Sequence, residues 1–193
     1  MSKIKYLSPR ISYQKNKDLT TLIISPRLKG MQEALLTAWL FCWTVCGLVF
    51  IWQLFGEYTK EQKLYIFIFI SFWAYYEYRI GYTWLWKKFG MELFKFDNEA
   101  IHYKRSLKKY GKVYKFYYEN INTLKLAKAK STSFGAVLEN SFWVIGGEKI
   151  SFQHLSKEIR VGIQLNEEEV ILTEKFIKNE INERKKQTNI NAI

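Results

Sequence analysis

LYIFIFISFWAYYEYRIGYTWLW, residues 64–86, decides how the rest of this chain is read. At a helical rise of about 1.5 Å per residue, a segment of this length crosses a hydrocarbon layer of about 30 Å with a modest tilt. It follows a first apolar run, residues 34–55, across a short polar connection. The pair reads as a transmembrane α-helical hairpin over residues 31–88, with spans at about 34–55 and 64–86. The chain is therefore expected to be an integral membrane protein. The first run starts too late and runs too long for an ordinary cleaved signal peptide, so it is expected to be retained.

Charge sets the expected orientation. Residues 1–30 hold seven Lys/Arg against one Asp, while the connection between the spans balances Glu57 and Glu61 against Lys60 and Lys63. Lys/Arg bias directs such flanks to the cytoplasm. The reading is thus a multi-pass protein of a bacterial cytoplasmic (inner) membrane, with a basic N-terminal cytoplasmic segment (1–30) and both termini cytoplasmic. Residues 87–130 hold twelve Lys/Arg against four acidic groups, and residues 131–193 hold eight against nine. Basic charge beside a span is attracted to anionic lipid at the cytoplasmic face, a nearer polyanion than nucleic acid, which is not expected as a partner.

The two spans differ in polarity. The first contains no ionised side chain, whereas the second places Glu77 and Arg79 in aromatic surroundings. On a helix Glu77 shares a face with Trp73, Ala74, Gly81 and Trp84, while Arg79 turns toward Phe72, Tyr75, Tyr76 and Trp86. Residues two apart do not face each other, so each charge needs its own partner. Ala74 and Gly81 would let another helix approach Glu77, and neighbouring rings could hold the guanidinium. The alternative is that the hydrocarbon ends near Ile80 and both charges reach headgroups by snorkelling.

From Gly90 onward the pattern changes to short β-prone runs. Strands are expected over residues 91–96, 100–105, 113–118, 121–127, 141–145, 149–155 and 160–165, with turns at Asp97-Asn98-Glu99 and Gly146-Gly147. Tyr114, Phe116 and Tyr118 are expected to point inward, as are Val161, Ile163 and Leu165. Residues 128–133 read as an exposed loop. Asn166, with Glu169 at the capping-box position, opens a final helix whose apolar face carries Val170, Thr173, Phe176, Ile177 and Ile181. Residues 188–193 read as a frayed tail. Earlier, residues 19–24 are β-prone up to Pro26 and either add a strand to this domain or lie at the interface.

The layout resembles the bacterial two-span membrane proteins with a pleckstrin-homology-like (PH-like) domain. The residues carrying the likeness are the Trp86-Lys87-Lys88 exit, Leu93-Phe94-Lys95-Phe96-Asp97, Tyr118-Glu119-Asn120-Ile121, and Lys149-Ile150-Ser151-Phe152 ahead of Asn166-Glu167-Glu168-Glu169. It covers about residues 31–186. A fainter layout likeness, through residues 94–97 and the late helix, is to the photosystem I assembly factor family. What the resemblance implies is a membrane hairpin plus an α+β soluble domain over 89–187, a seven-stranded bent sheet or partly open barrel closed by a C-terminal helix. It also implies a binding or assembly role.

No catalytic, cofactor or metal site is expected. His102 and His154 lie apart from metal-ligand spacing, Cys42 and Cys46 share a helix face without acidic or His partners, and Ser131-Thr132-Ser133 lacks a base or a nucleophile elbow. The expected function is that of a non-enzymatic accessory subunit of a larger integral membrane complex, or of a homo-oligomer, contacted through Glu77, Arg79, Trp73, Ala74, Gly81 and Trp84. The alternative is a lipid-binding module. In that case Lys104, Arg105, Lys108, Lys109, Lys112 and Lys115 either converge on an anionic headgroup or form a solvated basic hairpin near the leaflet.

Overall fold

The computed structural model describes residues 3–26, 30–126 and 143–191. Three strands come first: β1 (Lys5–Ser8), β2 (Ile11–Lys15) and β3 (Thr20–Ile24). Helices α1 (Gly30–Gln53) and α2 (Lys60–Phe89) follow, then β4 (Gly90–Phe96), β5 (Ala100–Leu107), β6 (Val113–Tyr117) and a 3-10 turn, Tyr118–Asn120. The chain closes with β7 (Ile121–Leu126), β8 (Glu148–His154), β9 (Lys157–Ile163) and α3 (Glu167–Asn191).

The expected fold class is overturned in two respects. First, among the described residues the strands form two antiparallel sheets, a six-stranded meander β1 to β6 and a three-stranded meander β7 to β9, instead of one seven-stranded PH-like sheet. The N-terminal segment supplies half of the larger sheet. Thr20, Leu22 and Ile24 are buried on one face of β3, opposite Phe96, Phe94 and Glu92 of β4. Residues 19–24 thus add a strand to the domain. Second, among the described residues there is no two-span hairpin: only α1 there, with mean hydropathy 2.2, is long and apolar enough to cross a membrane. In α2 the tyrosines Tyr65, Tyr75, Tyr76, Tyr78 and Tyr82, with Glu77, Arg79 and flanking lysines, lower the apolarity that length alone suggested.

Other expectations fare unevenly. Residues 143–145 form a turn, so no strand extends there, and residues 141–142 lie outside the described residues, as does the loop expected at 128–133. Tyr114 is 47% exposed, because β6 is the edge of its sheet and Tyr114 lies close to the β5–β6 turn; Phe116 and Tyr118 are buried. The tail is helical to Asn191, where no Gly or Pro interrupts α3.

The core fills the space between the sheets and α3. Ile11, Leu22, Phe94, Phe96, Ile101 and Tyr103 meet Ile121, Leu124, Ile150, Phe152 and Val161, and Val170, Ile177 and Ile181 of α3 cover them. Asn166 and Glu169 form the expected capping box, with Asn166 Oδ1 accepting from Glu169 N at 2.7 Å and Glu169 Oε2 accepting from Asn166 N at 3.1 Å. The same carboxylate takes Arg10 Nε at 3.0 Å, and Arg10 Nη2 donates to Gln164 O at 2.8 Å. Lys15 with Glu180, and Arg184 with Asn98 and Thr20, repeat this lacing farther along α3.

Breaking a buried ion pair from one side leaves an uncompensated charge, at a cost of about 3–5 kcal/mol. Arg10→Met is therefore expected to lower unfolding stability by about 3 kcal/mol, followed by strand circular dichroism in mild detergent. A loss no larger than that of a surface Lys→Met control would show that the Arg10 clamp is not what seats α3.

Candidate functional site

The strand before the α1–α2 pair, β3, and the strand after it, β4, are neighbours in the larger sheet. A Thr59–Gln62 capping box starts α2. At its other end α2 runs into β4 without a linker, with Gly90 N donating to Trp86 O. A Cβ on Gly90 would stand 2.6 Å from the Trp86 ring, so glycine permits this abrupt change.

The two helices pack antiparallel through a ladder of specific contacts. Phe50 meets Phe69, and a Cβ on Gly47 would stand 1.8 Å from Trp73 Cε2, so the indole occupies the space glycine leaves. Trp73 Nε1 donates to Trp43 O at 2.9 Å, Trp84 Nε1 to Thr37 Oγ1 at 2.9 Å, and Lys88 Nζ lies 3.7 Å from Glu33. Glu77 is held within this ladder. The Thr44 hydroxyl lies 2.8 Å from Glu77 Oε1 and 2.7 Å from Leu40 O, and shares one proton between the two acceptors. Glu77 Oε2 is buried with no partner among the described residues.

The structure therefore divides the residues that sequence placed around Glu77. Trp73, Glu77 and Trp84 contact α1, whereas Ala74 is exposed and a Cβ on Gly81 would meet nothing within 4 Å. Arg79 is exposed, with its guanidinium carbon 5.9 Å from the Tyr75 ring centre. Cys42 and Cys46 are free and exposed on α1.

The basic hairpin also divides. Lys104 Nζ donates to Lys109 O at 2.6 Å, Lys112 lies over Tyr114, and Lys115 lies over Tyr117 and 3.5 Å from Glu99. Lys109 sits in the turn with φ +77. Lys108 covers the Phe89 ring at 4.5 Å. Arg105 turns into the protein, where Nε donates to Tyr103 Oη at 2.8 Å and Nη2 to Glu148 Oε1 at 2.6 Å. The six side chains do not converge on one point.

Arg105 belongs to a buried network that joins the sheets. Glu92 on β4 is 2% exposed; it accepts the Tyr103 hydroxyl at 2.5 Å, Ile163 N at 2.8 Å and Gly162 N at 3.3 Å. Burial pushes the Glu92 carboxyl upward, against the Tyr103 hydroxyl, the β9 N–H groups and Arg105, all of which favour its charged form. At the end of α2 Lys87 is 5% exposed, with Nζ 3.3 Å from Gln164 Oε1, and desolvation lowers its pKa to about 8. Sequence reasoning passed over Glu92 although the period of two carried a signal. Glu92, Phe94 and Phe96 share parity, so the carboxylate had to face the core.

Among the described residues, no three His, Cys, Asp or Glu side chains gather as a metal site. His102 instead meets Asp97 at 2.6 Å, and His154 packs on Phe116. No family model, curated protein or solved structure matches this chain, so the functional reading rests on its own geometry.

Lys87 supplies a pH test. Unfolded, the lysine keeps its proton to about 10.5; folded, it releases it near 8. Between these values the unfolded state binds more protons, so this group makes stability rise with pH. Lys87→Met is expected to flatten that rise in melting curves across pH 8 to 10.5. An unchanged slope would show that Lys87 is not the group titrating.

Proposed function

We propose that this protein is a membrane-anchored accessory subunit that docks beside a helix of a larger membrane protein. The observation carrying the reading is the contrast between the outer faces of the two helices. On α1 the exposed residues include Phe41, Val45, Leu48, Val49 and Trp52, which fit hydrocarbon with an aromatic end at the interface. On α2 Leu64, Tyr65, Phe67, Ile68 and Phe72 are exposed along the first half, and along the second half the exposed residues are dominated by Tyr75, Tyr76, Tyr78 and Tyr82, with Arg79 among them. Tyrosine rings suit a contact surface, but their hydroxyls need partners that lipid tails do not offer.

Protein cover meets both needs. Ala74 and Gly81 leave openings on that side of α2 where a partner backbone can approach closely, as small residues allow in membrane interfaces. Interfaces favour Tyr, Trp and Arg over Lys and Glu, and α2 outside its ends has that composition. Lys87, Lys88 and the basic hairpin place the β-domain on the cytoplasmic side in this reading.

Extraction of native membranes in mild detergent is expected to recover the chain with a stoichiometric, non-identical integral membrane partner. Ala74→Leu combined with Gly81→Leu should abolish that recovery by at least about tenfold while the protein's own melting temperature holds, since both positions are open and leucine is a good helix former. A wild-type monomer, a homo-oligomer alone, or undiminished recovery of the double variant would each rule the proposal out.

A further inference from the structure

Where α2 meets the β5–β6 hairpin, a pocket of about 660 Å³ opens, lined by residues that include Tyr82, Trp86, Arg105, Leu107, Lys108 and Ile145. Its size falls in the range of small-molecule sites. The face proposed for partner docking shares Tyr82 with this pocket and otherwise lies farther along α2, at Ala74, Gly81, Tyr75, Tyr76 and Tyr78.

The packing of the helices fixes the pocket's depth. Lys88 stands level with Glu33 and Trp84 with Thr37, so Trp86 lies beside the first two turns of α1 and Tyr82 beside the third. If α1 crosses a membrane, the first two turns lie in the headgroup layer. The pocket therefore opens where lipid phosphates and the first acyl carbons meet.

Its chemistry is amphiphilic. Trp86, Leu107 and Ile145 give apolar wall, and Tyr82 gives a ring with a hydroxyl. Two cations join them. The Arg105 guanidinium is held in place by Tyr103 and Glu148, and Lys108 lies against Phe89 with no carboxylate paired to it among the described residues. The Trp86 indole is 3% exposed, and its Nε1–H lacks a hydrogen-bond partner among the described residues. A guanidinium held by hydrogen bonds and an ammonium lining the same pocket, with an aromatic and aliphatic wall, match a phosphate attached to hydrocarbon.

We propose that this pocket binds one anionic phospholipid, with its phosphate between Lys108 and Arg105 and its proximal acyl carbons on Trp86, Leu107 and Ile145. The proposal rests on α1 lying in a membrane. It uses two of the six basic residues of the hairpin region and assigns the others no part in recognition.

The test uses the full chain in mild detergent, with retained molecules counted by native mass spectrometry after mixing with phosphatidylglycerol, phosphatidylcholine or glycerol 3-phosphate. One phosphatidylglycerol is expected to be retained, at least about tenfold over phosphatidylcholine. One lysine near a lipid surface accounts for about a fivefold preference, so Lys108→Glu should reduce retention about tenfold or more. Ile145→Trp, which fills the pocket without altering charge, should reduce it as well.

Equal retention of the two phospholipids, wild-type retention by either variant, or glycerol 3-phosphate binding as tight as phosphatidylglycerol would overturn the proposal. The last result would make the ligand a soluble organophosphate. Flotation with pure phosphatidylcholine vesicles separates this from the anchor. Flotation without phosphatidylglycerol retention would remove the pocket alone, and retention without flotation would remove the anchor alone.

Discussion

Glu92 stands where everything in this fold meets. Its carboxylate accepts two backbone N–H groups from β9 of the smaller sheet while its own strand, β4, belongs to the larger one. A buried carboxylate is costly unless its oxygens are filled, and here they are filled by groups that must stay in place for the sheets to remain joined. Tyr103 and Arg105 extend the same network toward Glu148, and β4 is the direct continuation of α2. The orientation of the helix pair relative to the sheets is thus tied to a few hydrogen bonds at its base.

That coupling gives the two surface readings a common frame. The helix pair is joined directly to β4 through α2 and locked internally by Trp73 in the space at Gly47, by Thr44 on Glu77 and by Trp84 on Thr37. It presents its outer faces as one unit. An aliphatic and phenylalanine face suits lipid, and a tyrosine face suits protein. The phospholipid pocket would lie at the base of the same unit, between α2 and a hairpin whose residues reach the Glu92 network. A site on rigid elements holds its geometry better than one on free loops, and the turns carrying Lys108 and Ile145 depart from that rule here.

Glu77 shows how a correct observation can lead to an incomplete conclusion. A carboxylate inside aromatic helix sequence does need a partner, and sequence offered a second subunit or the headgroup layer. The chain supplies one itself, Thr44, for one of the two oxygens. In the proposed docking the groups left for a partner protein are accordingly the tyrosine hydroxyls and the open positions at Ala74 and Gly81. Arg105 teaches the converse. Grouped by sequence with exposed lysines, it is drawn inward because Tyr103 and Glu148 satisfy its guanidinium there.

Taken alone, the sequence determined what local pattern controls: the continuous apolarity of α1, the strand alternation after Gly90, the Asp97 turn and the Asn166–Glu169 capping box. Each depends on residues within a turn or a strand of one another, so neighbouring chemistry was enough. Tertiary structure decided what depends on distant pairing. β3 meets β4 across the whole helix pair, Arg10 reaches Glu169, and β7 to β9 separate into their own sheet. Residues 19–24 were legible as β-prone, but the first two strands were hidden because short runs such as Ile11–Lys15 carry little apolar signal until they pair with β3. The span count failed for a related reason: length and aromatic content do not distinguish rings that face lipid from rings whose hydroxyls and indole N–H groups require polar partners.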